Sequence, residues 1–405
     1  MRYGLIGEHL GHSYSPEIHK MLWGCDYELA PMPPDALPAF FARREFQGIN
    51  VTIPYKQAVL PFCDALGETA KRAGSVNTIC KRPDGTLFGD NTDLFGLQYM
   101  LQSAGISLEG RHVLVLGGGG ASQTAQLAAQ DANAASLMVA RRSGEVNYSN
   151  IYDQCRCAQV IINATPVGMF PAPDAQAVDL ARFPVCEAVV DLIYNPLRTK
   201  LIQQAKALKL QYVNGLAMLV AQAAVAAEIF TGTSYNAYGI DKVCATMQQK
   251  IENWVLIGMP GCGKSTVGAY LAKRAGRAFV DIDSAIEERA GISCSEVIQQ
   301  KGEAHFRMLE SESTKEAGKK MGLVIATGGG TVCKPENVFA LRQNGKLLWI
   351  RREVAWLATY KRPLSRDLAE LERARIPVYQ EIADEIVHHN EDWEALQEAA
   401  WEAFQ

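Results

Sequence analysis

The chain has 405 residues, 48% of them hydrophobic and 21% charged, with a formal net charge of −4. That length suggests roughly two to four domains, and the composition excludes a disordered chain. Mild acidity without a block of basic residues argues against nucleic acid as the main partner, and no apolar run approaches the roughly 18 residues needed to span a bilayer.

The start, "MRYGLIGEHLGHSYSP", lacks the apolar core of a signal peptide and reads as a strand and a loop. The 10 cysteines show no framework spacing and read as reduced thiols of a cytoplasmic protein, without a metal. Strand-like runs alternate with helical patterns, the signature of α/β layering with mostly parallel sheets. "YGLIG", "YELAPM" and "GINVTIP" read as early strands, and "SVNTICKRPDGTLFG" as a hairpin turning at Pro83-Asp84-Gly85. "HVLVLGGGGASQTAQLAAQDA" reads as a buried strand, a glycine loop and a helix. "SLMVA", "AQVIINAT" and "EAVVDLIY" supply further strands, and "GLAMLVAQAAVAAEIFTG" a long apolar helix ending at Gly232. After the helix "DKVCATMQQKI" the pattern restarts with "WVLIG", which places a domain junction near residue 250.

The first glycine loop is G-x-G-x-x-S, from Gly117 to Ser122. Strand before and helix after give it the context of a dinucleotide site. The next strand ends in Arg141-Arg142, where an NAD site usually carries an acid; arginine there suits the 2′-phosphate of NADP, unless the pair is simply solvated. Short polar signatures surround this lobe: Ser13 and Ser15 on a turn; Asn50, Thr52 and Lys56 in "GINVTIPYK"; Asn77 in "SVNTI"; and Asp93 at a helix start. Singly, these also read as turn formers, a solvated lysine and a helix cap.

Together they resemble shikimate dehydrogenase over about residues 1–249, with "NATPVGM", "DLIYNP" and "NGLAMLVAQAA" in the match. The resemblance implies a substrate lobe of 1–93 plus 216–249 and a Rossmann-like NADP lobe of 94–215. It implies Lys56 and Asp93 as the catalytic pair. Ser13, Ser15, Thr52, Asn77, Asp93, Tyr194 and Gln222 would contact shikimate. Gly117, Gly118, Gly119, Gly120, Ala121, Arg141, Thr165 and Gly215 would contact NADP, with Glu68 close by. The family's N-R-T is Ala140-Arg141-Arg142 here, and Glu145 replaces a further basic residue.

The second loop, "GMPGCGKST", fits G-x-x-x-x-G-K-[ST] between a strand and a helix. Its backbone N–H groups and helix start favour phosphates, Lys264 would reach the β- and γ-phosphates, and the Ser265 hydroxyl would hold Mg²⁺. In "AFVDIDSAIEERAG" a strand runs into Asp281 and Asp283, with Ser284 expected to cap a helix. Strand alternation would turn the two carboxylates to opposite sides, although both acids also fit plain cap positions. Arg307 and Glu310 share a helical face, Gly328, Gly329 and Gly330 end a strand, and Arg362 and Arg375 follow.

These residues resemble shikimate kinase over 253–405 and imply a P-loop domain like that of nucleoside monophosphate kinases. In that resemblance Gly261, Cys262, Gly263, Lys264, Ser265 and Thr266 bind ATP, and Ser265 and Asp281 hold Mg²⁺. Asp283 is the base, Arg307, Gly329 and Arg375 hold shikimate, and Arg362 stabilises the transferring phosphoryl. The lid segment "PLSRDLAELERA" between Arg362 and Arg375 is shorter than the family's, and "VAWLATYK" lacks an arginine that many relatives carry near the adenine. The whole chain thus reads as an α/β bifunctional enzyme using NADP(H), ATP and Mg²⁺. It would reduce 3-dehydroshikimate to shikimate and phosphorylate the product; no protein partner is indicated. Two rivals stay open: one half, the short-lid kinase half first, as a ligand-binding or scaffold module, or the P-loop half as a general ATPase.

Overall fold

The structure, a computed structural model, describes every residue except His12, Tyr235, 354–356, 358–367 and 389–391. Its first sheet is mixed. Strands β1 (Tyr3–Gly7), β2 (Glu28–Pro31), β3 (Gly48–Val51), β4 (Ala65–Leu66), β5 (Thr78–Lys81) and β6 (Leu87–Asp90) lie in the order β2-β1-β3-β5-β6-β4. β5 pairs antiparallel with β3 and β6, and the remaining pairs are parallel. The β5–β6 turn is the hairpin expected at Pro83-Asp84-Gly85: Asp84 Oδ1 accepts the Thr86 N–H at 2.9 Å and its hydroxyl at 2.6 Å. Ile6, Phe46, Ile49, Val59, Ile79 and Leu87 bury one face of this sheet.

The second sheet is all parallel. β7 (His112–Leu116), β8 (Ser136–Ala140), β9 (Val160–Asn163), β10 (Ala188–Asp191) and β11 (Gln211–Val213) take the order β11-β10-β9-β7-β8. The chain steps outward from β7 to β8 and then crosses back to β9, so the topological switch lies between β7 and β9. In open α/β sheets the ligand crevice opens outside the carboxyl ends at that point. Its strands are near-continuous apolar runs because both faces are covered: Val113, Val115, Ile162 and Val190 pack on one side, Leu114, Leu116, Ile161 and Val189 on the other.

The third sheet is also parallel. β12 (Asn253–Ile257), β13 (Phe279–Asp281), β14 (Val324–Ala326), β15 (Gly345–Arg351) and β16 (Glu385–His388) run in the order β13-β14-β12-β15-β16. β12, fully buried, sits at its centre and feeds the P-loop. The chain divides into two units, Met1–Gln248 and Gln249–Gln405, with the helix Ala237–Ile251 crossing the division. Among the described residues no helix is long and apolar enough to cross a membrane.

One expectation at the β13 end is corrected. The strand stops at Asp281, so Asp283 lies in the first turn of the helix Ile282–Ala290; strand alternation does not separate the two acids, and in a continued strand residues two positions apart would share one face. Asp281, not Ser284, caps that helix: its side chain accepts the N–H groups of Asp283 and Ser284 at 3.0 and 3.3 Å. A carboxylate at this position satisfies two otherwise unpaired helix donors and complements the helix dipole.

Candidate active sites

In the first unit the residues singled out by sequence meet in one cavity of about 320 Å³. Ser13, Ser15, Thr52 and Lys56 line it, together with Asn77, Asp93, Tyr194 and Gln222. Lys56 Nζ lies 2.5 Å from Asp93 Oδ2, with the side chains only 25% and 12% exposed. The other oxygen of Asp93 accepts from Asn77 Nδ2 at 2.8 Å, and its N–H donates to Asn91 Oδ1 at 3.0 Å. Asp93 therefore keeps one oxygen on an amide and turns the other toward the lysine. Asn77 is held in turn: its carbonyl accepts from Asn50 Nδ2 at 3.1 Å and its Oδ1 takes the Thr92 N–H at 2.9 Å. Asn50 also accepts the Tyr27 hydroxyl at 2.7 Å. Behind this chain His19 is stacked on Tyr27 at 4.1 Å, and burial lowers its pKa to about 3, so the imidazole is neutral.

Ala121 and Gly215 of the cofactor set reach the same cavity. Gly117 directly follows β7 with φ 119, and a Cβ there would lie 2.9 Å from the Ala164 carbonyl and 3.2 Å from the Thr165 methyl carbon. Only glycine fits such a backbone at that approach, and the contact seats Thr165 against the glycine loop at the switch point. The loop opens the helix Gly120–Asp131, and the Arg141 side chain runs alongside Gly118, 3.3 Å from where a Cβ would stand. A phosphate-bearing dinucleotide fits here: free N–H groups at a helix start, with a guanidinium beside them. Glu68 stands apart; it is exposed on the helix Glu68–Ala73 and paired with Lys71 at 2.5 Å. Sequence reasoning left Thr92, Leu192, Met218 and His9 out of the site. His9, Leu192 and Met218 line the cavity, and Thr92 donates to Gln222 Oε1 at 3.3 Å.

In the second unit the P-loop joins β12 to the helix Lys264–Ala275. Gly263 caps that helix at φ 104, a conformation a side chain would strain. Lys264 Nζ donates to the Gly258 and Met259 carbonyls, both at 2.9 Å, and is thereby stationed inside the loop. Ser265 Oγ donates to Asp281 Oδ2 at 2.5 Å, a pair of hard oxygens beside the loop. Such a pair fits Mg²⁺, which takes one or two protein oxygens and completes its shell with phosphates and water. Among the described residues no cluster of three His, Cys, Asp or Glu forms a closed metal cage.

Facing the loop, Gly329 packs on Pro260, and its carbonyl accepts the Tyr379 hydroxyl at 2.5 Å. Asp283 Oδ1 lies 3.0 Å from where a Cβ on Gly328 would stand, and the Arg307 guanidinium closes on Gly330. Arg307 donates to Glu310 Oε2 at 2.8 Å; Glu310 is 1% exposed and also accepts from Thr331 at 2.8 Å, so it orients the arginine. Arg375 is 7% exposed on the helix Leu368–Ile382, one turn from Tyr379, and its Nη1 has no hydrogen-bond partner. A buried guanidinium nitrogen left open suits an anionic ligand. Arg362 and the lid residues 363–367 lie outside the described residues.

By fold and site, the first unit is a two-lobed dinucleotide-dependent dehydrogenase and the second a P-loop phosphotransferase with an acidic-ligand pocket. The shikimate dehydrogenase substrate-binding domain model matches residues 5–79 and the shikimate kinase model residues 260–403. A shikimate dehydrogenase (NADP(+)) of Clostridium perfringens is 35% identical over 256 residues, which cover 57% of this chain and 92% of that protein. Among solved structures, a chorismate mutase/shikimate 5-dehydrogenase fusion protein from Clostridium acetobutylicum matches with TM-score 0.57 and 33% identity, covering 61% of this chain and 97% of that one. Shikimate 5-dehydrogenase from Thermus thermophilus, solved with NADP(H) and shikimate, matches with TM-score 0.55 and 33% identity, covering 61% and 99%. The chain belongs to the shikimate dehydrogenase family and carries a shikimate kinase domain in its second unit, which makes it a bifunctional shikimate-pathway enzyme.

Proposed function

We propose that the first unit reduces 3-dehydroshikimate to shikimate with NADPH and that the second phosphorylates the shikimate 3-hydroxyl from ATP. The observation that carries the first assignment is the Lys56–Asp93 pair, 2.5 Å apart in a polar cavity that also reaches the glycine-loop helix at Ala121. When bound, NADPH supplies hydride to the ring carbonyl carbon. Lys56 delivers the proton to the carbonyl oxygen, and its charge steadies the developing alkoxide. Asp93 fixes the ammonium in place while Asn77 fixes Asp93. Ser13, Ser15, Thr52, Tyr194 and Gln222 offer hydroxyl and amide groups to the ring hydroxyls and carboxylate. Arg141 is proposed to favour NADP by pairing with the 2′-phosphate.

For the second unit, the convergence of Asp283, Arg307 and the 328–330 glycines opposite the P-loop supports a small-acid acceptor beside ATP. ATP with Mg²⁺ supplies the phosphoryl group. Asp283 takes the hydroxyl proton, Arg307 and Arg375 grip the carboxylate, and Lys264, Ser265 and Asp281 serve the phosphate end. Arg362 is proposed to neutralise the group in transfer. A general ATPase has no use for the two arginines placed for an acid ligand. Assaying ADP formation with and without shikimate, beside NADP-linked shikimate oxidation, tests the whole reading. Both activities are expected, with ADP release dependent on shikimate. Shikimate-independent ADP release overturns the kinase assignment, and absence of NADP reduction overturns the dehydrogenase one.

A further inference from the structure

A carboxylate that the chemistry above does not use sits at the carboxyl end of β10. Asp191 is fully buried, and its three hydrogen-bond donors are neutral: Asn163 Nδ2 at 2.9 Å and the Ile193 N–H at 3.2 Å on Oδ1, and the Thr199 hydroxyl at 2.5 Å on Oδ2. Burial raises its pKa to about 6, so this charge is kept against desolvation only by hydrogen bonds. A leucine or valine would fill such a place more cheaply if packing were all that mattered.

Two of the three donors lead to segments of the dehydrogenase site, one toward the glycine loop and one toward the cavity lining at Tyr194. Asn163 turns its Oδ1 to Thr165, accepting the hydroxyl at 2.6 Å and the N–H at 3.2 Å. Thr165 is the residue seated against Gly117 in the cofactor loop. Ile193 precedes Tyr194, which lines the substrate end, and its carbonyl accepts the Gly215 N–H at 3.0 Å. The third donor, Thr199, caps the helix Lys200–Ala207 and packs beside Gly168.

We propose that Asp191 is a positioning residue that fixes the cofactor-side segment 163–165 and the substrate-side segment 192–194 to one another. It touches neither ligand; it acts through Asn163 on Thr165 and through Ile193 on Tyr194. The proposal rests on the dehydrogenase reading of the cavity.

The test is steady-state kinetics of NADP-linked shikimate oxidation by the full-length chain, scaled to folded enzyme by near-ultraviolet circular dichroism. Asp191→Ala is expected to raise KM for both NADP and shikimate about tenfold or more, because both segments lose a shared anchor and misplacement of ångström size costs up to roughly a hundredfold. Asp191→Asn is expected to restore both values, since the amide oxygen can serve Asn163 and Ile193 while the Thr199 hydroxyl turns to accept from the new NH₂. Thr199→Ala, which cuts the branch that caps the helix Lys200–Ala207 and keeps the Cβ beside Gly168, should lower the melting temperature with both KM values unchanged. If Asp191→Ala does not fold, Asn163→Ser serves: it should raise KM for NADP while sparing that for shikimate. Unchanged KM values in Asp191→Ala and Asn163→Ser, or an equal rise in Thr199→Ala, overturn the proposal. A wild-type chain without NADP-linked oxidation would instead overturn the reading beneath it.

Discussion

Replacing Lys56 separates the two chemistries of the chain. Lys56→Ala removes the ammonium 2.5 Å from Asp93 Oδ2 and leaves Asp93 with the Asn77 amide on its other oxygen. Asn77 keeps its own anchors on Asn50 and Thr92, so the cavity wall stands and the loss is chemical. Loss of a general acid typically costs about 10²–10⁴-fold in rate, which converts to about 2.7–5.4 kcal/mol of barrier. The assay is initial-rate NADP reduction with shikimate, beside ADP release by the same preparation. The dehydrogenase kcat should fall by that factor and the kinase kcat should stay at wild type. Lys56→Arg sharpens the point: it keeps a positive charge opposite Asp93, but a guanidinium does not give up its proton. Its kcat should therefore fall nearly as far as that of the alanine variant. A Lys56→Ala rate near wild type refutes the assignment. A near-normal Lys56→Arg rate shows that charge alone suffices and refutes the proton-transfer role.

Arg141→Ala should raise KM for NADP about tenfold with less effect on NAD, as expected for the loss of a charged hydrogen bond; equal effects on both cofactors would leave Arg141 as surface charge. Asp283→Asn should lower kinase kcat strongly while ATP binding, read by equilibrium titration, persists, and Arg307→Ala should raise KM for shikimate first; full turnover in Asp283→Asn would reduce Asp283 to a helix-start acid. Residues 1–250 and 252–405, expressed apart, should each fold and keep one activity, because each holds its own buried core; an insoluble kinase half would refute this. Between pH 6.5 and about 3 the unfolded chain protonates His19 while the folded protein leaves it neutral, so stability falls with falling pH by about 1.4 kcal/mol per unit from this group. His19→Gln should flatten that slope in urea midpoints, and an unchanged slope would refute it.

What the sequence revealed and what it hid follow from range. A strand, a glycine turn and a helix are local, so both nucleotide loops and the hairpin at Asp84 were legible from spacing. Lys56 and Asp93 stood out as polar signatures, but their pairing, and Gln222, followed only from resemblance, because nothing local joins residues 37 or more positions apart. The amide chain from Asn50 through Asn77 to Asp93 is of the same kind: its links span 27 and 16 positions, and no periodicity encodes them. Asp281 shows the opposite limit. Two acids two positions apart both fit a cap, and the choice between them was settled by where β13 stops. Glu310 was visible as a neighbour of Arg307, but its burial, which makes it the arginine's anchor, arises from packing beneath Thr331. Asp191 was visible only as the first letter of "DLIYNP", with nothing to mark its burial, since a buried acid at a strand end has the same letters as a solvated one.

The two glycine loops also explain why neither could serve for the other. The first caps its helix with Gly119 in an extended conformation, and Ser122 ties its hydroxyl to the Gly117 carbonyl at 2.8 Å. The loop itself contains no lysine, and the Arg141 side chain lies beside it. A dinucleotide pyrophosphate is only held during hydride transfer, and no P–O bond changes, so N–H groups at a helix start are enough. The second loop turns left-handed at Gly258, Gly261 and Gly263, and so wraps around Lys264 and brings Ser265 against Asp281. Phosphoryl transfer moves charge onto the leaving and transferring oxygens, and stabilising it takes a cation inside the loop and a second beside it. Holding a phosphate and moving one are different electrostatic tasks, and the position of the positive charge, beside the first loop and within the second, is where the two sites diverge.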